Sequence, residues 1–119
     1  MSRGDRIRWR DTILKTTASY TQVLKHGTWV KGHGFHLYYL PADDVRAGFA
    51  VSRKIRTHVQ RNRVRRRLRE LYRLNLAKFP PGWYIFMGTP KTLERSFSDL
   101  QKELDRMLRT LASSGSSPA

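Results

Sequence analysis

Apolar positions along the chain recur in two rhythms, and the rhythms divide it into elements. Over 16–25, Tyr20, Val23 and Leu24 fall three and four apart and His26-Gly27 supplies a stop, which predicts a short amphipathic helix. Residues 28–31 predict a brief strand and 32–34 a turn. Phe35-His36-Leu37-Tyr38-Tyr39-Leu40 is short, aromatic and closed by Pro41, which suits a strand. Pro41-Ala42-Asp43-Asp44 has turn chemistry, and over 46–52 Phe49 and Val51 alternate with small residues. A second strand, antiparallel to the first through that turn, is therefore expected. A helical pattern follows over 59–78 and stops at Pro80-Pro81-Gly82. Trp83-Tyr84-Ile85-Phe86-Met87 is continuously apolar, as in a strand central to its sheet. After a loop over 88–91, Phe97, Leu100, Leu104, Met107, Leu108 and Leu111 form one stripe of a last helix over 92–111.

The order helix, strands, helix, strand, helix predicts a single α+β domain, a sandwich of helices packed on a small sheet. The domain is expected over 1–112, because 113–119 is Ser/Gly/Pro-rich and reads as a frayed tail. Alternation puts Phe35, Leu37 and Tyr39 on one sheet face and His36, Tyr38 and Leu40 on the other.

Composition changes the picture mainly through charge. The 119 residues include no Cys, which removes disulfide scaffolds, thiolate metal sites and cysteine nucleophiles. The longest apolar run, 83–87, is far short of the ~20 residues a membrane span needs. The first residues alternate Arg with apolar positions, unlike a secretory signal. A soluble, cytoplasmic protein is expected. Its 24 Lys plus Arg stand against 9 Asp plus Glu, a net charge of +15, and a polyanion is the obvious partner.

That charge is concentrated. Ten Lys and Arg lie between Arg53 and Arg73, with Glu70 the sole acid among them, and a looser group comprises Arg3, Arg6, Arg8, Arg10 and Lys15. On a helical wheel Val64, Leu68, Leu71, Tyr72 and Asn75 cluster within about 100°, while Asn62, Arg65, Arg66, Arg69 and Arg73 fill a separate sector. One face is core and its neighbour a row of guanidiniums. Arg pairs bidentately with phosphate, whereas Lys is the commoner solubilising residue. Like charges at i,i+4 also destabilise a helix by a few tenths of a kcal/mol per pair, which a phosphate backbone would offset. DNA is disfavoured, because a helix-turn-helix reading needs a partner helix just before this one and the pattern supplies a strand. Tyr and Phe near the first helix and strand suit RNA or single strands, on whose bases they can stack. His33-x-x-His36 has no further ligand at metal spacing, Asp43-Asp44 suits a turn, and no protein catalytic centre is visible.

The residues also resemble a known family. Gly48-Phe49-Ala50-Val51-Ser52-Arg53-Lys54-Ile55, followed by Arg61-Asn62-Arg63-Val64-Arg65-Arg66, is similar to the signature of the protein subunit of bacterial ribonuclease P, a strand with G-x-x-V-S-K/R-K leading into a helix with R-N-R-x-K/R-R. Tyr20-Thr21-Gln22-Val23-Leu24-Lys25-His26-Gly27 resembles that family's first helix, with Tyr20 where Phe is common. Arg56 and His58 depart from it, standing where Gly and a small residue are usual. The resemblance implies an α-β sandwich with a small mixed sheet and a left-handed β-α-β crossover, as in a domain of a small-subunit ribosomal protein. It implies a non-catalytic protein, with cleavage performed by a large RNA whose Mg2+ is held mainly by RNA and none by the protein alone. The implied partners are that catalytic RNA, in a 1:1 complex with a monomer, and precursor tRNA, with neither membrane nor DNA. Arg53, Lys54, Arg61, Asn62, Arg63, Arg65, Arg66 and Arg69 are implied at the RNA face. Tyr20, Leu24, Phe35 and Tyr38 are implied in a cleft for the 5′ leader. A structural ribosomal RNA-binding protein is the alternative.

Overall fold

The computed structural model describes residues 9–116. Arg3, Arg6 and Arg8 of the looser basic group, and 117–119 of the expected tail, lie outside them. After a 3₁₀ turn at Trp9–Thr12, the chain forms α1 (Thr17–His26), β1 (Thr28–Val30), β2 (Phe35–Leu40), β3 (Val45–Val51), α2 (His58–Leu74), β4 (Gly82–Gly88), α3 (Lys91–Glu94) and α4 (Phe97–Ser116). Both α1 and α2 start at a threonine hydroxyl: Thr16 Oγ1 accepts from the Ser19 N–H, and Thr57 Oγ1 from the Gln60 N–H.

The four strands lie in the order β1-β2-β4-β3. The apolar run over 83–87 is central, antiparallel to β2 and parallel to β3. Strands β2 and β3 are therefore not the adjacent hairpin that the Pro41–Asp44 turn predicts. β4 enters between them and separates them by about 10 Å, two strand spacings. Asp44 fixes the insertion. Its carbonyl accepts from the Gly82 N–H (2.9 Å), and its carboxylate accepts from Trp83 Nε1 (2.9 Å) and Arg46 Nε (2.7 Å). Strand β4 gains two neighbours because its Tyr84, Ile85 and Phe86 are wholly buried and exclude the water that would otherwise satisfy their backbone.

One sheet face carries the main core. Phe35, Leu37, Ala47, Phe49, Tyr84 and Phe86 pack there against Val64, Leu68, Leu71 and Tyr72 of α2 and against the Leu100–Leu111 stripe of α4. The other face has a smaller cluster, Leu14, Val23 and Ile85, flanked by Tyr20, Tyr38, Leu40, Ala50 and Trp83. The main core is enclosed, whereas α1 covers its own face only in part. The open edge of β3 is closed by short contacts. The Leu14 N–H donates to the Ala47 carbonyl (2.8 Å), and the Phe49 N–H donates to the Tyr20 hydroxyl (3.0 Å).

Both long helices differ from their expected spans. α2 ends at Leu74 because Asn75 turns its amide back to the Leu71 carbonyl (2.7 Å) and exchanges two hydrogen bonds with Gln101 of α4. A 3₁₀ turn at Leu76–Lys78 completes the predicted stretch. The last helix is two helices: Ser96 Oγ accepts from the Asp99 N–H and starts α4 afresh. α4 then continues to Ser116, into the segment expected as a tail.

Candidate nucleic-acid interface

The exposed side of α2 forms one wall of a cleft of about 740 Å³. Helix periodicity puts Arg65, Arg66, Arg69 and Arg73 there, because Val64, Leu68, Leu71 and Tyr72 are drawn into the core. The opposite wall brings Arg10 and Lys15 from the segment along β3, and Trp9, Tyr20 and Phe49 are its aromatic lining. Thr12 fixes that segment through a buried 2.6 Å hydrogen bond with the Tyr72 hydroxyl of α2. Six cations thus face a single acid, Glu70. Glu70 is paired with Arg73, whose guanidinium hydrogen bonds hold the carboxyl below its usual range. Arg65, Arg66 and Arg69 have no acidic partner among the described residues. Such a cleft accumulates anions, and its spaced guanidiniums fit a run of phosphates.

The implied RNA-face residues separate into groups. Arg65, Arg66 and Arg69 line the cleft, and Asn62 stands beside them, its Oδ1 accepting from Arg65 Nη1 (3.2 Å). Arg63 is exposed outside it. Arg61 turns inward: Nη1 donates to the carbonyls of Ile55 (2.8 Å) and Ser52 (3.3 Å), and Nη2 reaches that of Val51 (3.5 Å). Its guanidinium braces the loop between β3 and α2, which gives Arg61 a positioning role. Arg53 is exposed on that loop, and Lys54 lines a second groove with His36 and Lys91.

The implied leader set divides by sheet face. Tyr38 is half-buried on the α1 side, and Leu24 stands 40% exposed on α1. Tyr20 packs its ring over Gly48, where a Cβ would come within 2.5 Å of the ring, and its hydroxyl holds the Phe49 N–H. Tyr20 also lines the arginine cleft, so α1 and α2 meet at one site. Phe35 does not belong with them. It is wholly buried on the opposite face, with its ring stacked on Phe86 at 5.7 Å. The alternation of β2 dictates this, since Phe35 shares a face with Leu37 and not with Tyr38.

Sequence reasoning does not single out Trp9, Arg10, Lys15, Arg73 or Lys91 as site residues. Arg73 has a signal, its place in the arginine sector of the wheel. Arg10 and Lys15 reach the cleft only through tertiary pairing of 13–14 with β3. Among the described residues no helix is long and apolar enough to cross a membrane. No group of three or more His, Asp or Glu among them is arranged to hold a metal ion.

Comparison with known proteins gives the family and the fold. The model of the Ribonuclease P family matches residues 9–112. A ribonuclease P protein component from Nitratiruptor is 35% identical over 98 residues, covering 82% of this chain and 90% of its relative. One from Pelotomaculum thermopropionicum is 37% identical over 100 residues, covering 82% and 89%. The fold is that of the Staphylococcus aureus RNase P protein (TM-score 0.71, 22% identity, 84% of this chain and 94% of that one) and of its Thermotoga maritima counterpart (0.66, 23%, 89% and 96%). The chain belongs to the protein-component family of bacterial ribonuclease P.

Proposed function

We propose that the protein binds the catalytic RNA of ribonuclease P through the arginine cleft of α2 and holds the 5′ leader of precursor tRNA along the α1-facing side of the sheet. The observation that carries this reading is the cleft itself, with Arg65, Arg66 and Arg69 lacking acidic partners among the described residues and adjoining Tyr20. Guanidiniums neutralise the phosphates of two RNAs that would otherwise repel each other, and the half-exposed aromatics of the α1 face offer stacking surfaces to unpaired bases. The protein's contribution is positioning and charge screening. Magnesium is assigned to RNA phosphates, the hard oxygen ligands it prefers. One protein acts with one RNA, in the cytoplasm, and the outcome is 5′ maturation of tRNA.

Reconstitution tests it. At low magnesium, adding the protein to its cognate catalytic RNA raises cleavage of precursor tRNA many-fold. Absence of stimulation across a range of salt and magnesium concentrations would favour a structural ribosomal role instead.

A further inference from the structure

The α1-facing side of the sheet carries an aromatic pair outside the arginine cleft. Trp29 stands on edge strand β1, 52% exposed, in register with Tyr38 of β2. Residues paired across antiparallel strands share a face, so Trp29, Tyr38 and, two residues along β2, His36 point to the same side. The Trp29 and His36 rings meet edge to face with centroids 5.5 Å apart. His36 is held by the turn after β1, its Nδ1 accepting the Gly32 N–H at 3.2 Å. An indole left half in water forgoes much of the apolar burial that makes tryptophan favourable in a fold.

Beside His36 opens a groove of about 340 Å³ lined by Lys54 from the loop before α2 and Lys91 from α3, with His33 and one acid, Glu94. Lys31 adds a third ammonium whose field acts on the His36 ring. Three ammonium groups outnumber the two carboxylates, Glu94 and the Glu103 whose field also reaches the His36 ring, and so favour an anionic occupant, while the ring pair favours one with flat faces. Single-stranded nucleic acid combines both. Duplex RNA keeps its base faces stacked internally and would leave the indole unused.

We propose that Trp29 and His36 form a stacking platform for one nucleobase of single-stranded RNA, whose neighbouring phosphates are taken by Lys54 and Lys91. The proposal rests on the leader reading above and extends it. The strand passing Tyr38 continues onto the edge of the sheet, so this additional stacking is open only to leaders that reach beyond Tyr38.

The test measures binding of precursor tRNAs by the complete protein–RNA complex, using a leader series of increasing length and mature tRNA. Trp29→Ala weakens binding of the long-leader substrates about 5- to 150-fold, the usual range for one stacked base. It leaves the shortest leaders and mature tRNA unchanged, and Trp29→Phe restores most of the loss. Equal loss for mature tRNA would overturn the platform, as would full affinity of Trp29→Ala for every leader. In the latter case, a leader-specific loss in Tyr38→Ala would leave the leader reading standing. If the wild-type complex itself fails to distinguish leader-bearing from mature tRNA, both readings fall.

Discussion

Arg61 Nη1 donates to the carbonyl of Ile55 at 2.8 Å, across the loop that joins β3 to α2. The first arginine of the R-N-R signature thus holds the loop from which α2 emerges, and the exposed arginines further along that helix take their direction from it. Ser52 is anchored at the same place, its N–H donating to the Gly88 carbonyl at the end of β4. The start of the basic helix is in this way referenced to the sheet.

Replacing Arg61 by Ala therefore lowers stability. Three carbonyls lose a charged donor, and about 1–3 kcal/mol is expected, read from denaturant unfolding. The salt dependence of catalytic-RNA binding is expected to keep its wild-type slope, because Arg65, Arg66 and Arg69, the arginines proposed to meet phosphates, are still in place. A slope reduced as much as in an Arg66→Ala variant would show that Arg61 meets the RNA directly.

Tyr20 and Gly48 are matched. A Cβ at residue 48 falls 2.5 Å from the Tyr20 ring and would displace it, together with the hydrogen bond from the Phe49 N–H. Gly48→Ala is expected to destabilise the fold by about 1–3 kcal/mol. The clash vanishes when Tyr20 is also Ala, so a double-mutant cycle measured by unfolding should give a coupling of at least about 0.5 kcal/mol. Additive effects would mean that the ring does not rest on residue 48.

His36 ties stability to pH. Its pKa lies below the ordinary 6.5, because burial disfavours the imidazolium and Lys31 repels it, with Glu103 opposing. The unfolded chain therefore takes up the proton first. This contribution is fully present above about pH 7.5 and is lost as pH falls through 6.5 towards the folded value. Protonation also removes the acceptor for the Gly32 N–H. Unfolding midpoints of wild type and His36→Phe, compared at pH 7.5 and 5.5, should show the steeper fall in the wild type. Parallel falls would exclude His36 as the source.

Local patterns carry much of this architecture. The β2 span, the central position of β4 and the core stripe of α2 all follow from spacing and apolar runs, because each depends on which residues of one segment seek burial. The expected adjacency of β2 and β3 fails because turn chemistry fixes where a chain reverses, not whether another strand enters the gap; Asp44 and Trp83 decide that, 39 residues apart. Arg61 illustrates the same limit at the site. Its inward turn is legible, since it stands seven residues before Leu68 and shares the core sector of the wheel, but the carbonyls that its guanidinium meets are presented only by the folded loop. The alternation of β2 already divides Phe35 from Tyr38, and which face α1 covers is a tertiary fact.

The most direct measurement is the salt dependence of catalytic-RNA binding by the wild type and by a variant with Arg65, Arg66 and Arg69 all changed to Ala. If these three line an interface with phosphates, the slope of log affinity against log salt falls by about 0.7–0.9 for each phosphate no longer neutralised, roughly 2–3 in all. The folded state remains, since none of the three belongs to the core. A variant that binds more weakly with an unchanged slope, or as tightly as the wild type, would contradict the arginine cleft as the RNA interface.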